Sequence, residues 1–176
     1  GDYQIRLEPG RMYSVVASYE DAFTETQEMK ISDGFSETNL TWDANLLPFE
    51  DKTYVIENIN YEFNKDQLTN EAKQSIDTFL LPILVNNPAI KVELGSHTDN
   101  KGTSAYNIHL SQKRSESIVK YLLNSGISEN RLIAKGYGES KPIAPNENED
   151  GTDNPDGRAK NRRTEIKVIG KVELIE

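Results

Sequence analysis

Cysteine is absent from the 176-residue chain, which excludes disulfide staples, thiolate metal sites and a cysteine nucleophile while leaving the redox compartment open. Long apolar runs are absent too. The nearest is FLLPILV, Phe79 to Val85, which a proline interrupts and which falls far short of the roughly 18 residues a membrane-crossing helix needs. Basic residues are outnumbered: 20 Lys and Arg stand against 29 Asp and Glu, for a net charge of -9. That balance offers no broad footprint for a phosphate backbone, so no nucleic-acid partner is expected. Histidine occurs only as His97 and His109. A metal site would have to join both to Asp99, but the helical phase of the segment around Tyr106 turns His109 to solvent and leaves too few ligands. No GxSxG elbow accompanies Ser96 or Ser111, and Gly136 and Gly138 in KGYGES lack the Lys-Ser/Thr of a phosphate loop and read as turn glycines. Neither an enzyme nor a cofactor is expected. The opening GDYQIRLEPG has no basic and apolar leader pattern, so any signal peptide is expected to be already removed or to lie upstream.

The chain does carry ordered alternations of pattern. Residues 1–50 read as short strands, YQIRL, MYSVVASY, TETQEMKI and ETNLTWDANLLPF, broken by Gly, Pro and Asp, and amount to a small β-rich segment too short for a robust core of its own. From residue 51 the order becomes strand (YVIENINYEF), helix from Thr69, strand (AIKVELGS), helix around Tyr106, strand (RLIAKGYG), a long polar loop, and a last strand (TEIKVIG). This predicts an α+β domain over 51–176, a β-α-β-α-β-β sandwich with two main helices packed on one mixed sheet. Pro82 lacks a backbone donor, so the first helix should kink or end near it. Gly126 is placed to close the second helix.

The second helix poses the functional question. At about 100° per residue from Tyr106, Leu110, Tyr121, Ile118 and Leu122 form an apolar face, and Arg114 and Asn107 fall at about 80° and 100°, in its midst. An unpaired guanidinium buried there would cost several kcal/mol, roughly, so Arg114 either escapes to water, makes a structural ion pair or lines a cleft. Asp99, in the loop that follows the second strand of this domain and feeds the helix, occupies a place where ligands commonly bind, although turn formation beside Asn100 and Gly102 would account for it as well. Arg158, Lys160, Arg162 and Arg163 in GRAKNRR make either a cationic rim or surface compensation for the acidic run Glu147 to Asp156.

Taken in order, INYEFNKDQLT, LGSHTDNKGTSAYNIHLSQKRSESIVKYL, GISENRLIAKGYGESKPIAPN and GRAKNRRTEI closely resemble the OmpA-like C-terminal domain, a peptidoglycan-binding module, over roughly residues 55–170. The resemblance implies noncovalent binding of the wall stem peptide at meso-diaminopimelate, by a periplasmic, outer-membrane-associated protein, and is compatible with membrane association through a region outside this sequence. A structural or protein-interaction domain without ligand is the alternative. The resemblance also implies site residues. Asp99 of HTD, with Thr98 beside it, and Arg114 of LSxxR would hold the ammonium and carboxylate of the ligand. Asn107 matches the Asn on the same helical stripe, Asn64 a pocket position after the first strand, and Arg162 the first Arg of NRR, while backbone N–H groups from Gly102 to Ala105 would assist a carboxylate. Two positions depart from the pattern: Ser96 stands where Gly is usual, and Lys101 where a small polar residue is common. The 1–50 segment resembles the end of a carboxypeptidase-regulatory-like β module.

Overall fold

The computed structural model describes residues 5–18, 22–33, 53–56, 59, 61 and 66–173, and the chain divides into two compact units, Gly1–Pro48 and Phe49–Glu176. In the first unit, β1 (Met12–Ala17) and β2 (Glu25–Lys30) form an antiparallel hairpin in register Met12 to Lys30 through Ala17 to Glu25. Ile5 to Glu8 are not a strand, unlike the YQIRL expectation. The expected strand in ETNLTWDANLLPF lies outside the described residues.

In the second unit β3 (Thr53–Ile56), β4 (Ile90–His97), β5 (Leu132–Gly138) and β6 (Thr164–Lys171) form one sheet in the order β3-β6-β4-β5, with β4 and β5 parallel and the other pairs antiparallel. The parallel pair requires a crossover, and the 21-residue helix α3 (Ser104–Asn124) supplies it. Thr103 caps the start of α3 by accepting from the Tyr106 N–H at 3.2 Å, and Gly126, at φ +91°, closes its end.

The first helix starts as expected, with Thr69 accepting from the Ala72 N–H at 3.2 Å. It does not stop at Pro82. An α segment, α1 (Asn70–Ser75), runs into a π turn (Ile76–Leu80) and out as α2 (Leu81–Asn86), with Pro82 in the first turn of the second α segment, where a missing N–H is tolerated. The Leu81 N–H reaches the Ile76 carbonyl. This wider turn has a packing consequence. Ala72, Ile76, Leu80 and Leu84 are all fully buried, although a strict four-residue spacing drifts by about 40° per step on a 3.6-residue helix. The π turn absorbs that drift and leaves Phe79 41% exposed.

The core joins these side chains to Val92, Leu94 and Ile166 from the sheet and Ile118 and Leu122 from α3, each such Leu or Ile contributing about 1.5–3 kcal/mol on burial. The buried face of α3 also holds Ser111 and Ser115, so its centre lies closer to β5 than the apolar residues alone indicate. Ser115 Oγ donates to the Lys135 carbonyl at 2.8 Å, Ser111 Oγ accepts from the Gly138 N–H at 2.8 Å, and the Gln112 amide pairs with the Gly136 N–H (2.7 Å) and the Ala134 carbonyl (3.3 Å). Gln112 thereby occupies edge-strand groups that would otherwise be open to another strand. Gly136 and Gly138 are therefore contact glycines and not merely turn residues. A Cβ on Gly136 would lie 2.3 Å from the Gln112 nitrogen, so Gly136→Ala should push α3 off β5 and cost about 3 kcal/mol in denaturant titrations; an unchanged midpoint would contradict this packing.

One short helix departs from the expected order. α4 (Pro155–Asn161) interrupts the region read as polar loop; Asn154 accepts from the Gly157 N–H, and Pro155 opens the first turn. It delivers Arg158 and Arg162 to the C-terminal end of β4.

Candidate functional site

β4 ends at His97, whose N–H is held by the Arg163 carbonyl at 2.9 Å, and the Thr98 N–H donates to the Gly138 carbonyl at 2.9 Å. These bonds pin the 98–101 loop between β6 and β5. Asp99 is buried within it. Its Oδ1 accepts from the Lys101 N–H at 3.1 Å, and its Oδ2 from Arg162 Nη1 at 2.6 Å and Arg158 Nη1 at 3.3 Å. Burial pushes the Asp99 carboxyl up, but the Arg162 guanidinium, the Lys101 N–H and Arg158 together outweigh it and hold the group below its ordinary value.

Arg114 is half-buried. Its guanidinium carbon sits 4.7 Å from the centroid of the Tyr61 ring, a cation–π placement, and the Tyr61 hydroxyl donates to the Arg114 carbonyl at 3.2 Å. Burial of Tyr61 pushes its phenol up to about 12, with the nearby Thr164 and Ser96 hydroxyls and the charge of Arg114 opposing the rise, so the ring remains neutral under the guanidinium. Burial also lowers Arg114, which feels Tyr61, Tyr106, Arg162 and Asp99. Arg114 and Asp99 thus belong to one electrostatic unit.

Asn107, 1% exposed, donates from Nδ2 to the Asp99 carbonyl at 3.3 Å and to Glu139 Oε2. It ties the Asp99 loop to the end of β5. The Thr98 hydroxyl is buried with no hydrogen-bond partner among the described residues. Gly102, at φ +104°, is exposed at the mouth of α3, and a Cβ there would meet the Tyr106 ring at 3.3 Å. Asn64 lies outside the described residues. Asp99, Arg114, Asn107 and Arg162 converge, and three residues join them that the sequence pattern does not place: Tyr61, Arg158 and Asp153. In the sequence Arg158 is only one member of a basic cluster. Asp153 accepts from Arg158 Nε at 3.0 Å and Nη2 at 2.6 Å and pairs with Lys101 Nζ at 3.0 Å. These cations hold its carboxyl down to about 2.

On the other face of the sheet His97 stacks on Tyr137, ring centroids 4.9 Å apart, and its Nε2 lies 3.1 Å from Glu165. Burial, helped by Arg163, lowers the His97 imidazole against the opposing pull of Glu165. Arg163 Nε donates to Glu165 at 2.6 Å, so the second Arg of NRR serves the sheet, and the first serves Asp99.

Residues 60–162 match the OmpA family. The chain belongs to the OmpA family. Among curated relatives, Outer membrane protein A of Bordetella avium is 36% identical over 110 residues, covering 62% of this chain and 53% of that protein. The Peptidoglycan-associated lipoprotein of Buchnera aphidicola is 32% identical over 108 residues, covering 61% and 58%. A further match, 40% identical over 116 residues, falls within the Photosystem I P700 chlorophyll a apoprotein A2 of Gloeobacter violaceus and takes up 66% of this chain but 13% of that protein. The chain therefore spans little more than half, or much less, of these relatives. Among solved structures, a MotB-like protein from Desulfovibrio vulgaris aligns with a TM-score of 0.56 at 26% identity, covering 69% of this chain and 74% of its own. The cell wall anchor of the type VI secretion system from Pseudomonas aeruginosa aligns with a TM-score of 0.52 at 25% identity, covering 67% and 79%. The OmpA-like sheet and helices of this chain are the fold these structures share. Among the described residues, no helix is long and apolar enough to cross a membrane.

Proposed function

We propose that this OmpA-family chain binds peptidoglycan noncovalently at the free amino-acid centre of meso-diaminopimelate in the stem peptide, and so tethers the outer envelope to the wall from the periplasm. The observation that carries the reading is the convergence of one buried, ionised carboxylate, Asp99, with the planar bases Arg114 and Arg162 at the end of β4. A centre with one ammonium and one carboxylate calls for that pairing. Relatives that include a peptidoglycan-associated lipoprotein and a cell wall anchor support it. The site is read as a binding site without catalysis. Ser111 Oγ is engaged with the Ile108 carbonyl and the Gly138 N–H. Incubation with purified sacculi should sediment the protein and release no soluble muropeptides; full recovery in the supernatant would sink the proposal.

Ligand chemistry should follow the charges. A stem peptide carrying meso-diaminopimelate should bind at least about tenfold more tightly than its lysine counterpart, whose side chain ends in an ammonium without the carboxylate that Arg114 and Arg162 would receive. Calorimetry giving equal affinities would rule this arrangement out.

Acid should weaken the complex in a defined window. The folded Asp99 carboxyl lies below its ordinary value, so its charge, and the stability its ion pairs add, is complete above the unfolded value of about 3.9 and is lost as pH falls through the folded value. Affinity should stay level from neutral pH to about 4 and drop below it. A loss centred near 6.5 would point to a histidine instead.

A further inference from the structure

Two carboxylates and several cations meet at the loop after β4, and they share charge unevenly. The fork of Arg158 lies on Asp153 through Nε and Nη2, at 3.0 and 2.6 Å, and only Nη1 reaches Asp99, at 3.3 Å. Lys101 also places its ammonium on Asp153, at 3.0 Å. The short ion pair of Asp99 is with Arg162, at 2.6 Å. A carboxylate offers about four acceptor sites, so Asp99 keeps capacity for another donor.

We infer that Asp153 determines the specificity of the site: by holding Arg158 and Lys101 it keeps Asp99 available to a ligand ammonium, and so sets the pocket for a zwitterionic amino-acid centre instead of a simple anion. The inference rests on the diaminopimelate reading. Its physical basis is that the Nε–Nη2 edge of a guanidinium makes its parallel pair of hydrogen bonds with one carboxylate at a time, and that edge of Arg158 lies on Asp153. While Asp153 is ionised, that pair forms outside the pocket. Without it, Asp99 is the carboxylate Arg158 already touches, and the fork turns onto it, while Lys101 adds an unneutralised charge nearby. Arg114, Arg158, Arg162 and Lys101 would then surround Asp99 alone. An incoming ammonium would be repelled and a carboxylate drawn in. Asp153 and Lys101 are 42% and 63% exposed, so their pair adds little to folding and its effect belongs to the ligand.

The test compares the protein with Asp153→Asn and Lys101→Met in two assays, after thermal melts confirm that the variants remain folded. The first follows the Asp99 carboxyl by NMR through an acid titration with no ligand present. Asp153→Asn should lower its midpoint, because the whole Arg158 fork then binds the ionised form, whereas Lys101→Met should leave it in place or raise it. An unmoved midpoint in Asp153→Asn overturns the inference. The second assay measures affinity at low salt for meso-diaminopimelate and for pimelate, the same chain without its ammonium groups. In Asp153→Asn the ratio of the two affinities should fall by about tenfold, diaminopimelate weakening and pimelate strengthening, while Lys101→Met keeps or raises it. An unchanged ratio in Asp153→Asn overturns the inference whatever the titration shows. If the midpoint falls but none of the three proteins binds diaminopimelate, the ligand reading fails, and the division of Arg158 between the two carboxylates is supported on its own.

Discussion

Arg114→Ala should leave the domain folded and reduce its sedimentation with sacculi to background. The side chain is half-buried over Tyr61, close enough to Asp99 and Arg162 to feel both charges, so its contribution divides between the fold and the complex. The fold's share is the contact with the ring, about 0.5–2 kcal/mol. The complex's share is larger, because a ligand carboxylate would enter a partly desolvated pocket with one of its two bases missing, at about 2–5 kcal/mol. Asp99→Ala should abolish sedimentation as well, by a different route: the ligand ammonium loses its acceptor, and Arg162 and Arg158 are left facing each other without the carboxylate that joins them. Both guanidiniums can swing away, Arg162 being 44% exposed and Arg158 retaining Asp153, so the fold survives. An Arg114→Ala protein that melts many degrees early would make this a structural residue, and a stable one that still sediments fully would remove it from the site.

That division between fold and ligand also explains which parts of the site are legible in the sequence. The helical phase of α3 places Asn107 and Arg114 toward the interior without any tertiary information, because 3.6 residues per turn fixes direction locally. The same wheel cannot distinguish the two. Asn107 is enclosed because β5 approaches α3 over glycines and its amide is committed to the Asp99 carbonyl and Glu139, whereas Arg114 lies at the flank against Tyr61. The bond from Arg158 to Asp99 spans 59 residues, and nothing local signals it. It depends on α4, a helix of seven residues inside a stretch whose polarity and glycines dominate its pattern. Asn154 and Pro155 do carry a start signal, but with no apolar stripe behind them. Pro82 is legible only in part: the helix does not end there, and the irregularity lies in the π turn before it. Its local rule holds, but that turn satisfies the backbone in a way that periodicity alone does not reveal. Gly136 and Gly138 read only as turn residues because a glycine that admits a helix and one that permits a turn are the same letter.

Arg131→Met should produce a larger loss of stability than Gly136→Ala or either pocket substitution, Arg114→Ala or Asp99→Ala, while sparing the ligand site. Arg131 is 7% exposed, and its described partners are backbone carbonyls: Nη2 donates to Leu84 at 2.7 Å and Asn87 at 2.8 Å, and Nε to Ile90 at 3.1 Å. One guanidinium thus joins the C-terminal end of α2, the turn after it and the first residue of β4. Burial lowers its affinity for the proton, yet its planar donor set is what satisfies three acceptors at once. Methionine keeps most of the volume, removes the guanidinium donors from Leu84 and Ile90, and leaves the Asn87 carbonyl with the Ile90 N–H at 3.2 Å. At about 1–3 kcal/mol for each unsatisfied group, less the desolvation the guanidinium no longer bears, the net cost is about 3–4 kcal/mol. For a unit of this size that corresponds to a fall in Tm of roughly 10 °C or more. β4 then separates cause from function. Ile90 and His97 stand at opposite ends of an eight-residue strand, about 23 Å apart at 3.3 Å per residue, so the Asp99 pocket should keep its geometry below the melting transition. Sedimentation with sacculi at low temperature should match the unsubstituted protein. A variant that melts normally would show that water or a neighbouring donor can replace the guanidinium, and one that is stable but cannot sediment would place Arg131 in the ligand site after all.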